Sequence, residues 1–270
     1  MPRPETITLD LALTEAGPLQ ADLTLPAGAG PHSVVVGVSG GRWSRGHRRS
    51  LAAWGTWLAE RGFAFASIDY RRALGGPAWP GNAEDVATAL NVLAQRGAEW
   101  GLDPARIVVL GVSAGAHLSA LALLSRAIET PPVAGFVGIY GVYDLMAHWQ
   151  ADTWRNAAPG TDKTEAMIGC APFDDPARYH HASPLRQITY DAALPVLLIW
   201  GAADREVLPD QSAAFARALT QARFPVRTVE VPGAGHMWFS EEGPQAEGSH
   251  SARIAPDILR FLTSTLGARA

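Results

Sequence analysis

Residues 107–122, IVVLGVSAGAHLSALA, lead from an uninterrupted apolar run through a Gly-Val-Ser-Ala-Gly turn into an apolar helix. Such a run is typical of a strand that is buried on both faces of a parallel sheet. A serine at a sharp strand-to-helix turn is held exposed above the sheet, and flanking glycines let the strand and helix approach closely. The Gly-x-Ser-x-Gly spacing alone is weak evidence, but in this setting it predicts that Ser113 is a reactive serine.

The rest of the chain alternates strands and helices around this turn. Apolar periodicity predicts strands at 7–13, 20–26, 34–38, 63–70, 106–112, 133–140, 196–200 and 226–231, and helices at 48–61, 82–95, 114–125, 210–222 and 254–266. The first two strands alternate apolar and polar residues around Gly17-Pro18, which favours an antiparallel hairpin. Strand–helix alternation predicts an α/β fold with a mostly parallel, eight-stranded sheet flanked by helices.

One segment interrupts this alternation. Residues 141–193 follow the sixth strand, are rich in Trp, Asp, Pro and His, and contain no obvious strand. They are too many for a simple loop in a compact domain, so we expect a cap-like insertion with helices of its own. No linker divides the chain, and we expect residues 1–270 to form one domain.

The composition excludes several classes of protein. The chain is 47% hydrophobic and has a net charge of −4, so it lacks the basic surplus of a nucleic-acid-binding protein. A single cysteine cannot form an internal disulfide, which indicates either a reducing compartment or a protein indifferent to redox conditions. The N-terminus has no apolar signal-peptide region, and no uncharged apolar run reaches the roughly 18 residues of a membrane helix. We therefore expect a soluble, cytoplasmic protein without a membrane span.

Two later segments supply partners for Ser113. A serine hydroxyl needs an adjacent base, which is itself oriented by a carboxylate. Asp204 follows the apolar strand that ends in Trp200-Gly201, and His236 closes a Pro-Gly-Ala-Gly-His segment after the next strand. In a parallel sheet these strand ends lie at one edge. Asp204 and His236 are therefore the predicted acid and base.

Other residues compete for these roles. Asp210 is interpreted as a helix cap, and His117 as a packing residue one helical turn beyond Ser113. His250 precedes the last helix, not a strand end, and is a weaker candidate for the base. His180 and His181 lie in the insertion without enough further ligands for a metal site, so we expect no bound metal.

Acyl transfer also needs N–H donors for the oxyanion. One is expected to be the backbone N–H of Ala114, which follows the serine. The others are expected from the turn Ser39-Gly40-Gly41-Arg42-Trp43 after an early buried strand, because glycine leaves N–H groups unobstructed.

These residues resemble the α/β-hydrolase superfamily, and within it the hormone-sensitive-lipase-like and the acetyl-xylan or feruloyl-type carboxylesterases. The similar segments are the Gly-Gly turn at 39–43, Asp-Tyr-Arg at 69–71, a Pro-to-Asp-Val helix entry at 80–86, Asp-Pro-x-Arg-Ile at 103–107, Gly-x-Ser-Ala-Gly at 111–115, Gly-x-x-Asp at 201–204 and Gly-x-Gly-His at 233–236. The roles that the resemblance implies are nucleophile for Ser113, general base and then acid for His236, orienting carboxylate for Asp204, and oxyanion donors for Gly40, Gly41 and Ala114.

The sequence departs from this family at two positions. Ser39 stands where the family has a histidine, and Arg42 where it has a third glycine. The first change bears on the stability of the turn more than on catalysis. The Arg42 side chain either narrows the cleft and meets an anionic group or lies on the surface. Among the nine tryptophans, Trp43 and Trp238 adjoin candidate catalytic loops and are the predicted pocket residues.

The resemblance implies a serine carboxylesterase that needs no cofactor and hydrolyses small esters through an acyl-enzyme. Two alternatives remain open. The same triad serves amide and formamide hydrolases, such as arylformamidases, or peptidases, and the scaffold also occurs as a non-catalytic binding protein. The expected partner is a small ester, and the oligomeric state is not predicted.

Overall fold

The computed structural model of the chain describes residues 4–15, 17–155, 162–190 and 194–267. The strands are β1 (Glu5–Thr14), β2 (Gly17–Leu25), β3 (His32–Val38), β4 (Ala64–Ile68), β5 (Leu102–Val112), β6 (Gly135–Ile139), β7 (Val196–Gly201) and β8 (Val226–Val231). The helices are α1 (Ala52–Ala59), α2 (Gly81–Arg96), α3 (Ala114–Leu124), α4 (Leu145–Arg155), α5 (Lys163–Ile168), α6 (Pro176–Ala182), α7 (Pro209–Gln221), α8 (Trp238–Glu241) and α9 (His250–Leu266).

Eight strands form one sheet in the order β1-β2-β4-β3-β5-β6-β7-β8. β1 and β2 form the expected antiparallel hairpin, β2 pairs antiparallel with β4, and the pairings from β4 to β8 are parallel. β3, β4, β6 and β7 are buried along their whole length, as continuous apolar runs require when helices cover both faces. The predicted α/β fold with a mostly parallel, eight-stranded sheet is confirmed.

Charged side chains shift two element boundaries from their predicted positions. The helix expected at 48–61 begins as a 3-10 turn, and its Arg48 side chain forms ion pairs with Asp22 on β2 and with Asp69. The strand expected at 63–70 ends at Ile68. Beyond it, Arg71 turns toward α2 and binds the buried Asp85 carboxylate through its backbone N–H and two guanidinium N–H groups. Tertiary ion pairs therefore override the apolar periodicity at these two ends.

The described part of 141–193 is helical and packs on α3, where His117 Nε2 contacts Ala182 O at 2.8 Å. It contains α4, α5 and α6. The Ser183 hydroxyl after α6 accepts a hydrogen bond from Leu145 N at 2.9 Å, and the Trp149 indole donates to Glu165 at 2.6 Å. The segment thus packs near the end of β6, at the edge where the parallel strands have their carboxyl ends.

Candidate active site

Ser113 occupies a strained turn between β5 and α3. Its φ of 52° and ψ of −118° lie outside the regions that residues with a side chain favour. Its backbone N–H is fixed by Ile139 O at 2.8 Å. A Cβ on Gly111 would lie 2.5 Å from Ala116 Cα, so the tight turn needs glycine there. The turn holds the hydroxyl at the carboxyl edge of the sheet.

The structure brings Ser113, His236 and Asp204 into one hydrogen-bonded line. Ser113 Oγ lies 3.0 Å from His236 Nε2, and His236 Nδ1 lies 2.6 Å from Asp204 Oδ2. The other Asp204 oxygen accepts hydrogen bonds from Glu206 N at 2.9 Å and Val207 N at 3.0 Å. Both carboxylate oxygens are therefore held, and the imidazole is oriented toward the serine.

The loops that carry Asp204 and His236 are joined to each other. Ala202 N donates to Val231 O at 3.0 Å, and Ala203 N donates to Ala234 O at 2.9 Å. A side chain at Gly201 would meet the backbone at Ala234, so glycine allows this close approach. The ring of Tyr140 packs on His236 with its centroid 4.4 Å away.

The glycine turn after β3 lies directly against Ser113. A Cβ on Gly40 would come 3.0 Å from the Ser113 Cβ, and Gly41 has a φ of 119°. In the described part of the chain, the N–H groups of Gly40 and Gly41 donate to no other protein group. Ala114 opens α3, where the first N–H groups have no intrahelical acceptor. Unpaired donors from two segments thus flank the serine.

Two side chains hold this turn in place. The Tyr70 hydroxyl contacts the carbonyl oxygens of Ser39 at 3.0 Å and Gly40 at 3.4 Å. The Trp43 indole donates to His117 Nδ1 at 3.0 Å, and His117 Nε2 contacts Ala182 O at 2.8 Å. Burial lowers the pKa of His117 to about 4, so its ring is neutral at pH 7. His117 is a packing residue, as predicted.

The other competing residues lie away from this line. Asp210 stands in the first turn of α7. His250 begins α9 and faces Trp238, while the rings of His180 and His181 contact each other. Among the described residues, no group of three or more His, Cys, Asp or Glu side chains could hold a metal ion, and no helix is long and apolar enough to cross a membrane.

Trp43 and Trp238 differ in their relation to the cleft. A cleft of about 20 Å³ is lined by Arg42, Trp43, Ser113, Ala114, Val142, His148, Glu206, Val207 and His236. Trp43 is thus in the wall, as expected. Trp238 is not among these described lining residues, because it packs against Tyr140 and Phe239 in the core behind His236. Arg42 lies 3.9 Å from Glu206 at the mouth, and both side chains are half exposed.

Sequence reasoning did not identify three residues that line or support the cleft. Tyr140 follows β6 at the carboxyl edge of the sheet, a position that the strand order could have indicated. His148 and Val142 belong to the segment 141–193, whose irregular pattern gives no register for its side chains. No spacing in the sequence marks His148 as a neighbour of Ser113.

Comparisons with known proteins identify the family of the chain. Residues 21–219 match the family model BD-FAE. The chain belongs to the BD-FAE family. Among curated relatives of this BD-FAE chain, esterase LipC of Mycobacterium tuberculosis is 33% identical over 89% of the chain and 60% of LipC. The chain spans less than two thirds of the length of the curated relatives it matches.

Solved structures similar to the BD-FAE chain include carboxyl esterase 2 of Tuber melanosporum, with a TM-score of 0.80 and 24% identity over 97% of this chain and 87% of that one. A bacterial heroin esterase also has a TM-score of 0.80, with 25% identity over 99% of this chain and 85% of that one. The BD-FAE chain is a member of the α/β-hydrolase superfamily.

Proposed function

We propose that the protein is a serine carboxylesterase that hydrolyses small carboxylic esters through an acyl-enzyme. The observation that carries the proposal is the line from Ser113 through His236 to Asp204, with unpaired backbone donors beside the serine. A nucleophile, a base and an orienting carboxylate in this order form the arrangement used for acyl transfer. The esterase names of relatives and of structures with the same fold support the same reaction.

In the proposed reaction, Ser113 Oγ attacks the ester carbonyl carbon and gives its proton to His236 Nε2. The imidazolium is stabilised by Asp204 through Nδ1–H. The carbonyl oxygen becomes an oxyanion, which accepts hydrogen bonds from the N–H groups of Gly40, Gly41 and Ala114. Collapse of the tetrahedral intermediate breaks the bond to the alkoxy oxygen, which takes the proton from His236 and leaves as the alcohol.

Deacylation repeats the same steps with water. His236 takes a proton from the water as it attacks the acyl carbon, and then returns a proton to Ser113 Oγ as the carboxylic acid is released. Besides the ester and water, the scheme uses only groups of the chain itself. The partner in this scheme is a small-molecule ester.

The proposal includes the role of the segment 141–193 as a cap within a single domain. Residues of the sheet and of the helices share one hydrophobic cluster, which also includes Met167 and Tyr179 of the segment. Val142 and His148 of the segment line the cleft beside Ser113. A cytoplasmic location is also proposed, because a chain with one cysteine needs no oxidising compartment.

Replacement of the nucleophile tests the proposal. We expect Ser113→Ala to lower kcat on p-nitrophenyl acetate by about a million-fold, the loss typical of a triad serine. Ser119→Ala is the control, because Ser119 is also buried on α3 and its hydroxyl has no hydrogen-bond partner in the described part of the chain. A fluorophosphonate should label wild type and Ser119→Ala, but not Ser113→Ala.

Three results would contradict the proposal. Ser113→Ala could retain most of the activity, or the folded wild-type protein could resist the fluorophosphonate, as a binding protein on this scaffold would. Faster cleavage of N-formyl aromatic amines than of nitrophenyl esters would instead assign the same residues to amide hydrolysis.

A further inference from the structure

The cleft beside Ser113 is too small for a substrate, and a much larger cavity lies next to it. The cleft volume of about 20 Å³ is enough for about one water molecule. A second cavity of about 360 Å³ lies between α4 and the start of α7, and this volume is within the range of small-molecule sites. An ester that reaches Ser113 therefore needs space that the cleft alone does not supply.

His148 on α4 is the one residue that lines both cavities among those described. It is more than nine-tenths buried, and its imidazole forms no hydrogen bond in the described part of the chain. One neighbour is the Trp43 ring, with its centroid 6.2 Å away. The ring forms part of the wall between the two spaces.

The lining of the larger cavity defines the chemistry that it would accept. Its apolar walls are formed by Ala147, Ala151, Leu185, Leu208 and Ala214. Gln211 also lines it, but its amide oxygen already accepts from two backbone N–H groups and its amide nitrogen donates to Asp144 O. Asp144 is paired with Arg186 at 2.8 Å. Asp210 and Arg217 also line the cavity, and both are exposed to solvent. Because Gln211 and Asp144 already have protein partners, the remaining lining is suited to carbon chains.

We propose that this cavity is a substrate subsite for an apolar alkyl or aryl group of the ester, and that the His148 ring narrows the passage between it and Ser113. The assignment rests on the proposed esterase activity and specifies the substrate class of that site. Burial also lowers the pKa of His148 to about 4, so the ring is neutral at pH 7 and can lie against an alkyl chain.

Two substitutions that change the cavity in opposite ways test the subsite. His148→Ala removes the wall, and Ala214→Trp on α7 fills the cavity. Ala218→Trp is the matched control, because Ala218 lies one turn further along α7, is also half-buried, and is not among the described lining residues. Each variant is assayed with p-nitrophenyl esters from acetate to octanoate, and with acetate esters of short and long alkyl alcohols.

In the ester series that uses the subsite, we compare kcat/KM for the longest chain with kcat/KM for the shortest chain. We expect His148→Ala to raise this long-to-short ratio by about 10-fold or more, because even one methylene in an apolar pocket has an effect of this size. Ala214→Trp should lower the same ratio, and Ala218→Trp should leave it unchanged. A shift confined to the acyl series assigns the cavity to the acyl chain, and a shift confined to the alcohol series assigns it to the leaving group.

The subsite would be refuted if wild type hydrolysed esters and both ratios stayed unchanged in folded His148→Ala and Ala214→Trp. It would also be refuted if His148→Ala lost activity equally on every ester, since the ring would then act in the chemistry. Absence of any activity in wild type would instead refute the proposed esterase function, so the two failures are distinguishable.

Discussion

Unusual backbone angles concentrate around Ser113. The described non-glycine residues with positive φ include Arg42, Trp43, Ser113, Tyr140 and Met237, all in segments that surround the cleft. Such conformations cost on the order of 1–3 kcal/mol each and persist only where neighbours fix them. Tyr140 N is held by Ile199 O at 2.7 Å. A tyrosine carries no turn signal, so the sequence could predict the strain at Ser113 but not at Tyr140.

The turn after β3 keeps its shape without the family's usual histidine, because Tyr70 binds its carbonyl groups. We expect Tyr70→Phe to lower kcat on p-nitrophenyl acetate by about 10-fold with little change in KM, since misplaced N–H donors weaken transition-state binding. Tyr179→Phe is the control, because its hydroxyl also donates to a backbone carbonyl, that of Cys170 at 2.9 Å.

Loss of either hydroxyl should cost about 1 kcal/mol of unfolding free energy, measured with urea. A purely structural role for Tyr70 would give the two variants the same kcat. Equal values in the folded variants would therefore contradict the positioning role.

The elements that the sequence predicted well are those that a long apolar run marks. β3, β5 and α3 appear within a few residues of their expected positions, because long apolar runs decide them. α9 begins at His250, four residues before the predicted start, and the Ser249 side chain caps it by accepting from Ala252 N. The apolar periodicity that predicted the helix begins only at Ile254, so it does not mark this first turn.

The approach of α3 to β3 sets the distance between Ser113 and the glycine turn. A Cβ on Gly115 would collide with the carbonyl groups of Val38 and Ser39, which are backbone and cannot rotate away. We expect Gly115→Ala to lower the unfolding free energy by about 1–3 kcal/mol and to reduce kcat as well, because the helix must shift. Gly243→Ala, where the Cβ meets open space, is the control. Unchanged stability and kcat in Gly115→Ala would show that the contact is not needed.

The meeting of Ser113, Asp204 and His236 was predictable because a parallel sheet gathers its carboxyl ends at one edge. Each candidate side chain lies within five residues of the end of its strand, and those strands run parallel in one sheet. His148 and Trp238 were not predictable in this way. Their positions depend on how 141–193 and the segment after His236 pack, and neither region has the regular spacing from which a buried face can be derived.

Two buried histidines, His117 and His148, make the stability of the protein depend on pH. Burial lowers the pKa of each to about 4, against an ordinary value of 6.5. Between these values the unfolded chain binds protons that the folded chain excludes. The free energy of unfolding is therefore constant with respect to these groups above about pH 6.5 and falls as the pH drops toward 4, by about 1 kcal/mol per pH unit for each histidine.

Urea unfolding at several pH values between 7.5 and 5 measures this slope. His117→Gln, which removes one titrating group, should lower it by about 1 kcal/mol per pH unit, while His181→Gln, at an exposed position of α6, should leave it unchanged. Every other titrating group is shared by the proteins compared and cancels in the difference between their slopes. If wild type and His117→Gln lost stability in parallel on acidification, the imidazole between Trp43 and Ala182 would be protonated in the folded protein, and its assigned neutral state would be wrong.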